Sequence, residues 1–410
     1  MSTPAELYRN AVDLNRFSNS VSKRIAVTYN DFILDAVNKL RGIDELAAPS
    51  KAARLRAILA ELKGSLDGWA ATSTTSVISD LQGLAVLQDE FTTEQLRRAL
   101  PLELRAQVRS VSISPNFAQS VATVDPTAIN VVSLSADLEA AVAGAPQTFQ
   151  LTAAQGTTMT LPNGKVLEKS FRGLAESQAD LFARTVRNGL ISGESIDAIA
   201  RELKGTLRFN QPGSVRQIAA AGGRVTSMAD NQIIALVRTS INQVANETSQ
   251  QVYKANQDVT SKYRYVATLD SRTSPICRAL DGQEFEYGKG PTPPQHFNCR
   301  STTVPIIDYE RLGLTPPPPS EIRRPNSVGG PGSVKRRGTV PDNETYGQWL
   351  EKQSKEVKDD VLGPSKVPYF EFLVDKYGAT DAIRKFVARD GSELTLAQLR
   401  RRGYGLSPSD

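Results

Sequence analysis

The sequence predicts a predominantly helical α+β protein: a helical N-terminal region, a mixed α/β centre with a small loop-rich module, a linker and a small helical tail. Three observations carry this. Apolar residues recur at helical spacing over the first hundred residues and again from Leu174 onward. Between about Ser110 and Lys169 the texture shifts to alternating Ser, Thr and Val, as in strands. The stretch ICRALDGQEFEYGKGPTPPQHFNC, residues 276–299, holds both cysteines and the only histidine of the 410-residue chain.

The length exceeds one ordinary core, so two or three domains are expected. With 23% charged and 40% hydrophobic residues, the composition fits a globular protein rather than a disordered one. No run of about 18 apolar residues exists, so no membrane span is expected. The opening MSTPAELYRN lacks the pattern of a signal peptide, so synthesis and folding in the cytosol are expected. In that reducing setting, two cysteines near a histidine point to metal or thiol chemistry rather than a structural bridge. The net charge of +5 is small, with 49 Lys and Arg against 44 Asp and Glu. Basic clusters occur at Arg323, Arg324, Lys335, Arg336 and Arg337, and at Arg400 to Arg402. The plain reading of so small an excess is a solvated surface, although basic residues on flexible segments can bind phosphate backbones non-specifically.

Residues 1–109 form the helical region. Leu55, Ile58, Leu59 and Leu62 share one helix face. Thr92 and Gln95 have the spacing of a capping box, predicting a fresh helix start there, and Pro101 stops that helix. Such faces need a partner, either each other in a bundle or a second protein. Residues 110–170 form the strand-rich segment, with Asn163-Gly164 predicting a hairpin turn. Residues 171–310 begin with helices through Leu174 to Leu190 and Ile196 to Leu203. A glycine-containing loop around Gly222-Gly223 follows; without a Walker lysine or a GxGxxG frame it reads as a plain loop. A long helix from about Asp230 to Gln257 then leads into the Cys/His stretch. Residues 311–343 are rich in Pro, Gly and charge and predict a flexible linker. In residues 344–410, Thr345 and Gln348 form a capping box, Leu362-Gly363-Pro364 ends the helix, and a short helix covers Leu394 to Leu399.

His296 and Cys299 lie three apart in a tight segment entered through Pro293-Pro294, so one turn aims both at a common point. Cys277 returns from the far end of a loop containing Asp281-Gly282. Three such ligands suit tetrahedral zinc, with Asp270 as the nearest carboxylate for the fourth position, or a water. Two rival readings stand beside it: packed thiols or an assembly-stage disulfide, and a Cys-His nucleophile, for which no orienting acid or oxyanion site is evident. A zinc deaminase is excluded, because no Glu follows two residues after His296 and no Cys-x-x-Cys exists.

The ordered set Arg238, Thr239, Asn242, Asn246, Tyr253, Asp270, Arg272, Thr273, Cys277, Asp281, Gly282, Pro293, Pro294, His296, Cys299 and Arg300 resembles the phage Mu F-like head morphogenesis family, over about residues 172–307. Ser301 departs from it, standing where many relatives carry a further cysteine. The tail WLEKQSKEVKDDVLGPSK is similar to a C-terminal segment of some members. The resemblance implies a minor head protein of a tailed phage, in the capsid interior or at the portal vertex of the virion. It implies a role in head assembly and DNA packaging or ejection. Its implied partners are the portal protein, the major capsid protein and packaged double-stranded DNA. In that setting structural zinc pins the loop module, and Arg238 and Thr239 are expected to bond loop carbonyls. No enzymatic activity is expected. The alternatives are a C-terminal effector, a nuclease or ADP-ribosyltransferase using acids such as Glu344, Glu351 and Glu371, and a non-specific DNA-binding module.

Overall fold

The computed structural model describes residues 3–43, 48–121, 159–204, 224–317, 321–323, 340–388 and 390–404. Helices dominate, and one small sheet sits beside the Cys/His stretch, the predominantly helical α+β class expected. Helix α1 (Thr3–Arg41) and helix α2 (Ala48–Ala99) lie antiparallel. Lys39 meets Glu61, Trp69 Nε1 donates to the Ile25 carbonyl, and Asn10 donates to Gln88. After a 3-10 turn at Leu102–Gln107 come α3 (Phe117–Ser120), α4 (Leu167–Ile191), α5 (Ile196–Lys204) and α6 (Arg224–Ala255).

One continuous core runs through these helices, from Val21 and Tyr29 in α1 through Leu66 and Trp69 in α2 and Phe171 in α4 to Val237 and Ile241 in α6. Trp69 sits edge-on between Tyr29 and Phe171, with ring centroids 5.3 Å and 5.7 Å away. The N-terminal helices therefore bury their apolar faces against the chain's own central helices, not only against each other.

Three local expectations give way to tertiary contacts. Thr92 starts no helix: α2 is one helix of 52 residues. Its hydroxyl lies 3.2 Å from Gln88 Nε2 and 3.1 Å from Ser249 Oγ of α6, so it serves packing between helices instead of a cap. In the segment expected to be strand-rich, the described residues form a single bridge, Thr160 to Val166, around the predicted turn, where Gly164 has φ 73°. Residues 122–158 and residues 205–223, where the glycine-containing loop is expected, lie outside the described residues. Within residues 311–343, where a linker is expected, β4 (Glu321–Arg323) pairs antiparallel with β5 (Val340–Pro341), while 318–320 and 324–339 lie outside the described residues.

Beyond α6 the chain forms β1 (Thr260–Val266), α7 (Pro275–Leu280), β2 (Glu284–Glu286) and β3 (Thr302–Ile307). The sheet order is β2-β1-β3, all antiparallel. Its inner face packs Tyr263, Tyr265, Ile276, Leu280 and Phe285 around the two cysteines.

The tail has its own core, with Tyr346, Trp349, Phe370, Leu373, Phe386 and Leu399, and it borrows Leu269 from the centre. It comprises α8 (Tyr346–Glu351), α9 (Lys355–Leu362), α10 (Val367–Tyr377), α11 (Ala379–Arg384) and α12 (Leu396–Arg401). The Thr345/Gln348 capping box is present, and a second one, Thr395/Gln398, opens α12. The single helix expected up to Leu362 is broken at Lys352–Ser354, which lets Leu350 and Leu362 face the same core. Gly347 has no alternative: a Cβ there would lie 2.1 Å from the Ala379 carbonyl oxygen.

One buried acid in the bundle sets a pH dependence. Asp230 on α6 is 3% exposed and accepts a hydrogen bond from Asn30 Nδ2 at 3.3 Å, while Asn30 Oδ1 has no partner. Burial pushes the Asp230 carboxyl up to about 6. A raised native value means that folding favours the protonated form, so this contribution is intact below about pH 4 and is lost as pH rises through 6. Asp230→Asn removes the buried charge and offers a donor to Asn30 Oδ1. It is expected to raise stability by about 2 kcal/mol above pH 7 and to change little at pH 4. Thermal unfolding of both proteins across that range measures it.

Candidate metal centre

The long helix α6 carries a polar row at i, i+4 and i+8 that grips the strand leading out of the Cys/His segment. Asn242 Nδ2 donates to the Ser301 carbonyl at 3.0 Å, and Gln250 Nε2 donates to Thr303 Oγ1 at 3.0 Å. Asn246, between them, donates to the Asn242 carbonyl at 2.8 Å. Thr239 Oγ1 accepts the Asn298 backbone N–H at 3.0 Å, holding Asn298 at φ 61°, a left-handed conformation that asparagine tolerates. Arg238 donates to the side-chain oxygens of Asn298 and Asn19, at 3.3 Å and 3.1 Å, and not to the loop carbonyls expected of it.

These anchors bring three donors together. Cys277 is on α7, whose first turn is capped by Ser274. His296 and Cys299 stand on one turn, closed by Cys299 N–H donating to the His296 carbonyl at 3.2 Å. Both cysteines are 1% exposed. Cys277 Sγ is 3.8 Å from Cys299 Sγ and 3.3 Å from His296 Nε2, and all three ligand atoms lie within 4.8 Å of one another. A disulfide needs sulfurs about 2.05 Å apart, so both cysteines are free thiols. Around a tetrahedral zinc with Zn–S near 2.3 Å and Zn–N near 2.05 Å, the S···S and S···N edges come to about 3.8 Å and about 3.5 Å. The sulfur–sulfur separation matches its edge, and the Cys277 Sγ–His296 Nε2 separation is slightly shorter than its own. Among the described residues this is the one group of three or more Cys, His, Asp and Glu donors gathered for an ion.

The surroundings prepare the donors for that task. His296 Nδ1–H donates to the Phe297 carbonyl at 2.8 Å, which leaves the Nε2 lone pair facing the sulfurs. The Tyr265 hydroxyl lies 3.2 Å from Cys277 Sγ, and Ser274 Oγ lies 2.8 Å from His296 Nε2. Burial and the neighbouring Cys299 push the Cys277 thiol up. Against its own burial, Cys299 is held well down by hydrogen bonds from Cys277 and His296. A cation brought to the cluster would displace a proton from it.

Asp270 does not join the three. Its carboxylate is taken by Arg300, at 2.5 Å and 2.8 Å, and by Thr273 Oγ1 at 3.1 Å, with Arg272 at 3.7 Å. Although burial opposes it, Arg300 keeps Asp270 below the usual carboxylate range. Its role in the structure is to fix the segment that follows Cys299. The sequence reading missed Tyr265 and Ser274, whose polar atoms touch the cluster; a lone Tyr on a strand and a Ser before a Pro carry no metal-site signal.

The centre is also where the tail docks. Asp281 accepts the backbone N–H groups of Ala267 and of Tyr346, both at 2.6 Å. Tyr346 OH donates to the Asp270 carbonyl at 2.8 Å. Arg278, the residue after Cys277, donates to the Thr273 and Val361 carbonyls at 2.7 Å and 3.0 Å and lies over the Tyr346 ring. Gly282 sits at φ 78°, where a Cβ would come 2.7 Å from Thr345 Cγ2. The Asp-Gly pair therefore marks the seam between centre and tail. Glu344 and Glu371 pair with Lys352 and Lys358, and the acids named for an effector are not gathered into a metal-binding group.

Fold and site together define a class: a helical bundle that holds a small buried Cys-His-Cys module against the polar row of α6. Residues 180–304 match the family described as Phage Mu protein F like protein, a segment that holds α6, β1, β2, the start of β3 and all three donors. No curated protein and no solved structure matches the chain.

Proposed function

We propose that the chain is a minor head protein of a tailed bacteriophage. It acts in head assembly at the portal vertex and in DNA packaging or ejection, with portal and major capsid proteins as partners. The observation that carries this reading is that the family match at residues 180–304 coincides with the Cys277, His296 and Cys299 module. Zinc bound there is structural: the module's own core is small, and a cation tying α7 to the loop before β3 replaces the core it lacks. Burial of both sulfurs supports that role over nucleophilic catalysis, which needs an accessible thiolate. Among the described residues no helix is long and apolar enough to cross a membrane.

Mass spectrometry of purified phage particles tests the role. The chain is expected in low copy number, cross-linked to portal protein; particles that lack it altogether would overturn the reading. DNA contact is a separable part of the proposal, resting on exposed Arg401 and Arg402 at the end of α12. Binding to unrelated duplexes is expected to be weak, sequence-independent and steeply reduced by salt. Fluorescence anisotropy at two salt concentrations checks it, and sequence-selective binding would count against it.

A further inference from the structure

The geometry points to the hydroxyl of Ser274 as the fourth donor that closes the zinc shell. Structural zinc takes four donors and leaves no position open, whereas three protein donors and a water make an exchangeable site. Cys277, His296 and Cys299 supply three, and the Asp270 carboxylate is spent on Arg300 and Thr273. What stands against the cluster instead is a set of hydroxyls. Those of Tyr265 and Ser301 turn to the Cys277 sulfur and to each other. Among the described residues neither is hydrogen-bonded to His296. Ser274 Oγ lies 2.8 Å from His296 Nε2, the ring atom that faces the sulfurs, and it also bonds to Cys277. It is the one hydroxyl that touches both kinds of donor.

The turn that Ser274 starts holds it in place. As the N-cap of α7 it accepts the Cys277 backbone N–H at 3.4 Å, so its oxygen is tied to the residue that carries the first sulfur. A hydroxyl so used keeps one proton and one lone pair. The proton goes to Nε2, because His296 Nδ1–H is committed to the Phe297 carbonyl. With the Nε2 lone pair given to a metal, that proton is free to turn to the Cys277 sulfur, and the remaining lone pair is left for the cation. Ser274 and His296 are half-buried while both cysteines are buried, so the Ser274 side is where solvent comes nearest the cluster. An oxygen there shuts out the water that would otherwise complete the shell. A neutral hydroxyl is a harder, weaker donor than a thiolate, so the sulfurs supply the charge and Ser274 the closure. This inference rests on the zinc reading proposed above and adds the donor which that reading lacks.

Cobalt(II) uptake by the full chain is the test, because thiolate-to-cobalt charge transfer grows with the number of sulfur donors and a bound water exchanges for azide. The wild-type spectrum is expected to show two thiolates and to be unchanged by azide. Ser274→Cys should raise the charge-transfer intensity by about half, as three sulfurs replace two. Ser274→Ala should bind zinc at least about tenfold more weakly and acquire a cobalt spectrum that azide shifts. Ser274→Asp keeps the cap of α7 and offers a carboxylate oxygen. It should hold metal at least as tightly as wild type and ignore azide, which separates loss of a donor from fraying of α7. Three results would overturn the assignment while leaving the zinc reading in place: a wild-type spectrum that azide shifts, two-thiolate intensity in Ser274→Cys, or unchanged affinity and azide response in Ser274→Ala. A chain that takes up neither cobalt nor zinc would overturn both.

Discussion

His296→Ala is expected to strip the chain of its metal and to open residues 277–299, while α1, α2, α4 and α6 keep their protection. The His296 ring supplies the one nitrogen of the cluster, facing the sulfurs of Cys277 and Cys299. Loss of a ligand from a site with three protein donors should cost at least about a hundredfold in metal affinity, since even the loss of a supporting partner costs 10–100-fold. The consequence should travel into the tail, because Cys277 and Arg278 are neighbours on α7 and Arg278 holds the Val361 carbonyl. Hydrogen exchange resolved by segment is the measurement. Faster exchange in α7, residues 288–299 and α9, with no change in the bundle core around Trp69, is the expected pattern. Uniform destabilisation would place the cluster inside the main folding unit instead.

Asp281→Asn is the second large effect. Each carboxylate oxygen accepts one buried backbone N–H, from Ala267 and Tyr346. An amide satisfies one of them and turns its NH₂ group against the other, leaving two donors face to face. The expected cost is about 3 kcal/mol, felt mainly at the seam between tail and centre. Cleavage between 324 and 340 followed by gel filtration reads it directly. The tail should stay bound to the nicked wild-type chain and separate from the nicked variant. Retention by both would show that Leu269, Tyr346 and Arg278 suffice without the carboxylate.

Much of this was legible in the sequence because local chemistry and tertiary need agree. The capping box at Thr345/Gln348, the stop at Gly363 and the run of apolar positions in α6 all point the same way as the packing. The Cys277, His296 and Cys299 window is legible for a different reason: a chain with two cysteines and one histidine concentrates them only where they act together. The failures lie where a distant partner decides. Thr92 has the spacing of a cap, yet Ser249, far along the chain, claims its hydroxyl. Asp270 reads as a ligand by proximity, yet Arg300 folds back to take both its oxygens. Arg238 was expected on loop carbonyls, but α1 presents Asn19, and no periodicity could place those two side by side.

The central claim is that Cys277, His296 and Cys299 hold one structural zinc. Elemental analysis of the full chain purified without chelators, with thiols titrated before and after chelation, tests it most directly. One zinc per chain, with both thiols protected until the metal is removed, is the predicted result. A chain without transition metal whose two thiols titrate freely from the outset would contradict it.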